Sequence, residues 1–151
     1  MVHAVVLGIV LTLIPPTQAP KEMKYDPKAD PKTDFKAALA QASKEGRNVL
    51  MDVGGEWCSW CHRMDKFIAD HEELSTLLEE NYVLVKVNFS EENKNERFLS
   101  HYPKVAGYPH IFVFNSSGKL LISKSTGDLE EGKSHNLQRF TEFLKQYARR
   151  E

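Results

Sequence analysis

Asn48-Val49-Leu50-Met51-Asp52-Val53-Gly54-Gly55-Glu56-Trp57-Cys58-Ser59-Trp60-Cys61-His62 joins an almost continuous apolar run to two closely spaced thiols. The run Asn48 to Val53, interrupted only by Asp52, has the pattern of a buried strand, and Gly54 and Gly55 end it. The cysteines then fall on the first turn of a helical stretch predicted to continue through Leu78. At this spacing both sulfurs come within bonding distance in one helical turn. Free amides and the positive end of the helix dipole favour a thiolate on the first of them. Cys58 is therefore the expected nucleophile. Cys61, one turn deeper, is the expected resolving thiol that breaks a mixed disulfide.

Moving outward, the preceding segment predicts a helix capped by Thr33 or Asp34, with Phe35, Ala38, Leu39 and Ala42 at helical spacing and Gly46 as its stop. Before it, Pro20, Pro27 and Pro31 break a polar stretch expected to run extended or disordered. The N-terminus itself is uncharged from Met1 to Ala19, with an apolar core over Ala4 to Ile14. That length suits a signal peptide and is short for a bilayer span, and Thr17 and Ala19 stand where a cleavage site would. An uncleaved anchor or a buried N-terminal strand is the alternative. The expected organisation is a signal peptide over 1–19, a linker over 20–32 and one folded domain over 33–151, exported to a periplasmic or extracellular space. No stable membrane span is expected after cleavage.

Downstream, Val83 to Phe89 reads as a strand, Asn93 to His101 as a short helix, and Leu137 to Ala148 as a closing amphipathic helix. Ile111 to Asn115 and Leu120 to Lys124 read as a hairpin turned by Ser116, Ser117 and Gly118. The order α, β, α, β, α, β, β, α implies an α/β fold. Its central mixed sheet has early strands parallel through helical crossovers, a last antiparallel pair, and helices on both faces.

The 20 Lys+Arg and 21 Asp+Glu of the 151 residues leave a formal charge of -1, without the broad positive field of non-specific nucleic-acid binding. A chain of this length buries enough surface to fold without disulfides, and two cysteines could not supply a framework. The cysteines are therefore read as a reagent.

The segment from about Phe35 to Tyr147 resembles the thioredoxin superfamily, in particular exported thioredoxin-like proteins. The resemblance rests on Trp57-Cys58-x-x-Cys61, Asp52 six residues before the first cysteine, Lys86 in the following strand, and Gly107-Tyr108-Pro109. It implies a thioredoxin-like fold and a cis peptide before Pro109. It also implies a buried acid at Asp52 that takes the Cys61 proton, with Lys86 tuning that equilibrium. The backbone of Tyr108 and Pro109 would hold a substrate strand, and Trp57 and Trp60 would form an apolar platform beside the sulfur. The Ser59-Trp60 dipeptide, followed by His62 and Arg63, departs from the Gly-Pro of prototype thioredoxins, so the redox direction does not carry over.

Three other readings compete. A structural disulfide at this spacing closes too small a loop to be a good staple. Cys58-Ser59-Trp60-Cys61-His62 also satisfies the C-x-x-C-H pattern of haem attachment, but strands and a hairpin surround it, whereas small c-type cytochromes are mostly helical. Zinc through Cys58, Cys61 and His62 lacks a second donor pair. The expectation is a monomeric protein-disulfide reductase or oxidoreductase without cofactor or metal. It would act on protein or small-molecule disulfides and depend on an unidentified redox partner. A thioredoxin-fold binding module, with turnover incidental, is the competing class. Asp52 and Lys86 as an ordinary buried pair, His110 as a plain strand residue, and His71, His101 and His135 at the surface are the corresponding plain readings.

Overall fold

A computed structural model describes residues 24–149, so the expected signal peptide lies outside the described residues. The first helix, α1 (Pro31–Glu45), starts earlier than expected because Asp30 caps it, accepting from Lys32 N–H (3.2 Å) and the Thr33 hydroxyl (2.6 Å), with Pro31 in the first turn. Gly46, at φ 70°, ends it in the left-handed conformation.

Strand β1 (Asn48–Gly54) is buried along its whole length because it lies inside the sheet. It pairs in parallel with β2 (Tyr82–Asn88) and antiparallel with β3 (His110–Phe114), which pairs antiparallel with β4 (Leu120–Ser125). The order β2-β1-β3-β4 is the expected mixed sheet. Strand alternation sorts the core. Val49, Met51 and Val53 pack with Ala38 and Ala42 of α1 on one face. Leu50 and Ile111 pack on the other face against helices α2 (Ser59–Asp70), α3 (Glu72–Asn81) and α5 (Leu137–Tyr147), through Met64, Leu74 and Phe140. Asp52 shares the parity of Leu50, so it points beneath α2.

Four local features differ from the sequence reading. The helix expected to run through Leu78 breaks at His71 (φ -120°, ψ 99°), whose ring nitrogen Nδ1 lies 2.7 Å from Phe67 O. The break lets Leu74 enter the core with α5. The helix expected over Asn93 to His101 shrinks to α4 (Glu96–Leu99), because Asn95 takes a left-handed conformation (φ 48°). An unexpected hairpin, β5 (Glu130–Glu131) and β6 (Ser134–His135), turns through Gly132 at φ 60°. Finally, the described part of the expected linker is folded onto the domain. Tyr25 is 1% exposed, and Pro27 O accepts from Asn93 Nδ2 (2.8 Å).

Candidate active site

The site forms where β1 stops and α2 begins. Cys58 is the N-cap of α2, and its sulfur accepts from the Cys61 backbone N–H at 3.1 Å. That amide lies in the first turn of the helix and also donates to Cys58 O at 3.1 Å, and its approach to the sulfur stabilises a thiolate once the pair is reduced. Cys58 and Cys61 are joined in a disulfide with Cα atoms 5.2 Å apart. Cys61 is fully enclosed, whereas Cys58 keeps a small exposure at the rim. The C-x-x-C-H sequence thus sits at a strand-to-helix junction with its sulfurs bonded to each other.

Trp57 stands 59% exposed beside the pair, and its indole N–H donates to Phe89 O at 2.6 Å. Its ring meets Tyr108 edge-on at 5.8 Å, and Tyr108 stacks on Phe89 at 4.7 Å. The Tyr108–Pro109 peptide is cis, and Pro109 O accepts from the Thr126 hydroxyl at 2.6 Å. Trp60 also packs against the cysteine cluster, and its ring is covered by the Arg63 guanidinium at 4.9 Å and meets His135 edge-on. The structure therefore brings Trp57 and Tyr108 into one aromatic group and places Trp60 in another.

Below the cysteines, Asp52 is buried, and its Oδ2 accepts from the Tyr25 hydroxyl at 2.6 Å. Its Oδ1 is a buried oxygen without a hydrogen-bond partner among the described residues. Lys86 pairs with Asp52 in register across β1 and β2, but its ammonium lies nearer Asp65 Oδ2 (2.5 Å) than Asp52 Oδ2 (3.8 Å). Desolvation is the largest influence on Asp52 and pushes its carboxyl up to about 6, against the opposing pull of Lys86 and the Tyr25 hydroxyl. Asp65 remains 40% exposed, while Lys86 is almost wholly covered. Glu56, His62, Asp65 and Lys86 line a groove of about 730 Å³ that connects this charge cluster with solvent.

Sequence reasoning missed Tyr25, Asp65 and Phe89. Asp65 carried a usable signal, since it stands four residues after Cys61 on the same helix and so shares its face. Tyr25 carried none, because it lies in a proline-broken polar stretch. Of two buried histidines, one matches the sequence reading and one departs from it. His110 is buried on β3, 2.8 Å from Ser123 Oγ and packed on Phe112, as the plain reading expects. His135, expected at the surface, is buried among Trp60, Phe67 and Phe140, and burial lowers its pKa. The β5–β6 hairpin that carries it folds against α2.

A family model described as thioredoxin-like matches residues 30–116. A solved structure described as a disulphide isomerase from Xylella fastidiosa Temecula1 superposes with a TM-score of 0.70 at 26% identity, covering 81% of this chain and 94% of that one. Thiol:disulfide interchange protein DsbD of Actinobacillus pleuropneumoniae serotype 5b (strain L20) is 30% identical over 89 residues, 58% of this chain. Disulfide bond reductase DsbH of Chlamydia pneumoniae is 26% identical over 96 residues, again 58% of this chain. The chain spans only 15% of that DsbD and 57% of that DsbH.

Proposed function

Because the chain belongs to the thioredoxin-like family, with more than half of it matched, we propose that it is a thiol–disulfide oxidoreductase working through Cys58 and Cys61. The observation that carries this reading is the pair itself: a rim cysteine capping a helix, facing an amide donor, bonded to a fully enclosed cysteine three residues on.

In the reducing direction, the Cys58 thiolate attacks a substrate disulfide. One S–S bond forms between Cys58 and the substrate, and the other substrate sulfur leaves as a thiolate. Cys61 then attacks Cys58, giving up its proton to the Asp52 carboxylate as the Cys58–Cys61 bond forms and the second substrate thiolate departs. The substrate has gained two electrons and the pair has lost them, so a partner dithiol must reduce Cys58–Cys61 before the next cycle. An acid titrating near 6 is suited to this step, since it is ionised at neutral pH yet basic enough to accept a thiol proton transiently. Lys86 and Asp65 set the charge around it, and Trp57, Trp60, Tyr108 and Pro109 would receive the substrate chain.

Protein disulfides in an exported compartment are the proposed substrates, on the strength of the uncharged apolar run at the N-terminus. No helix among the described residues is long and apolar enough to cross a membrane. Insulin reduction by the purified protein tests the reading. Cys58→Ser should abolish turnover and Cys61→Ser should accumulate mixed disulfides; full turnover by Cys58→Ser would overturn it. Equilibration in glutathione buffers, following the state of the pair, separates a reductant from an oxidant or isomerase.

A further inference from the structure

The segment ahead of α1 carries a side chain that the redox steps above leave without a role. Tyr25 is 1% exposed, in contact with Cys58 and Cys61. Its backbone N–H donates to Glu56 Oε1 at 2.9 Å, in the loop leading to the cysteines, and its hydroxyl donates to Asp52 Oδ2 at 2.6 Å. The Lys86 ammonium lies over its ring, 4.3 Å from the centroid. A Cβ at Gly54 would fall 2.5 Å from Cys61 Sγ and 3.0 Å from the Tyr25 hydroxyl, so phenol and sulfur crowd the same small space at the end of β1.

A buried phenol needs an acceptor, and any main-chain carbonyl would serve. This one instead occupies one oxygen of the buried carboxylate and leaves the other, Oδ1, unpartnered. We propose that Tyr25 is a positioning residue of the redox centre, its hydroxyl holding Asp52 Oδ2 so that Oδ1 is the carboxylate oxygen left to take the Cys61 proton. The inference rests on the thiol–disulfide reading and assigns the folded N-terminal segment a part in it.

The groups facing Asp52 are Lys86 from β2, Asp65 from α2 and Tyr25 from the N-terminal segment, whose ring packs against the two cysteines, with Glu56 acting on Tyr25 from the loop. Strand β3 contributes the apolar Ile111 in register. The Tyr25 hydroxyl favours the ionised carboxyl, so its removal leaves burial less opposed.

In the full-length protein, Tyr25→Phe keeps the ring and removes only the donor. The pH midpoint of mixed-disulfide resolution, and the carboxyl ¹³C titration of Asp52 in the oxidised protein, should both move up by about one pH unit. Asp52→Asn should remove that limb of the pH profile. Overlaying profiles for native protein and Tyr25→Phe, with the limb still lost in Asp52→Asn, would overturn the role of Tyr25 and leave the oxidoreductase reading intact. Full turnover by Cys58→Ser would overturn that reading and this inference with it. Should Tyr25→Phe fail to fold, the Tyr25 ¹³Cζ signal of the native protein decides: it should titrate together with Asp52, and a pH-independent signal would overturn the proposal.

Discussion

At Asp52, burial and charge pull in opposite directions. Its carboxyl is raised from an ordinary 3.8 to about 6, because desolvation penalises the anion more than Lys86 and the Tyr25 hydroxyl favour it. Between those values the folded protein holds a proton that the unfolded chain has released. Stability therefore falls as pH rises through this window and stays lowered above it. The full deficit is roughly 3 kcal/mol. Asp52→Asn should accordingly increase resistance to guanidine unfolding above the folded-state pKa by up to that amount. The gain should disappear below the unfolded-state value, where the native carboxyl is neutral in both states. A loss of stability at neutral pH would show that the ion pair with Lys86 outweighs burial. Turnover should move the other way, because Asn cannot accept the Cys61 proton.

At the scale of elements, the join between β1 and α2 leaves no room for a side chain on its glycines. Gly54 ends the strand where the Cys61 sulfur and the Tyr25 ring both approach its backbone. Gly54→Ala would place a methyl against groups fixed by a disulfide on one side and by hydrogen bonds on the other. It should cost about 1–3 kcal/mol, read as a lower midpoint of thermal unfolding. An unchanged midpoint would mean that both the Cys61 sulfur and the Tyr25 ring give way at little cost. The order of the main strands and helices, the mixed sheet and the placement of the cysteines at a helix start were legible in the sequence, because strand runs and helix periodicity are local patterns. The break at His71 was not. Phe67, Ile68, Leu74, Leu77 and Leu78 all pack on the same core, and nothing in their spacing says that the chain bends between them. The β5–β6 hairpin was equally hidden, since Glu130, Glu131 and Ser134 carry no apolar alternation.

For the whole molecule, the two apolar clusters on either side of the sheet hold the fold, and the disulfide contributes little. It links residues three apart, and closing so small a loop removes at most about 2 kcal/mol of chain entropy. Reduction should therefore leave the far-UV circular dichroism in place and lower the unfolding midpoint only modestly. Collapse of the fold on reduction would return the cysteines to a structural role. Phe112→Ala, at a fully buried position of the cluster that contains Ala38 and Ala42 of α1, should by contrast cost about 3–5 kcal/mol, measured by denaturant unfolding at constant redox state. The sequence by itself determined the α/β architecture, the position of the thiol pair at a helix start, and the acid and lysine on neighbouring strands. Each depends on spacing within one segment, or on a motif preserved along the chain. Only the tertiary structure decided that Tyr25 reaches Asp52, that Asp65 holds Lys86, and that His135 is buried behind Trp60. Those partners lie far apart or in segments without periodicity, and burying them together is a property of the packed core that no local pattern encodes.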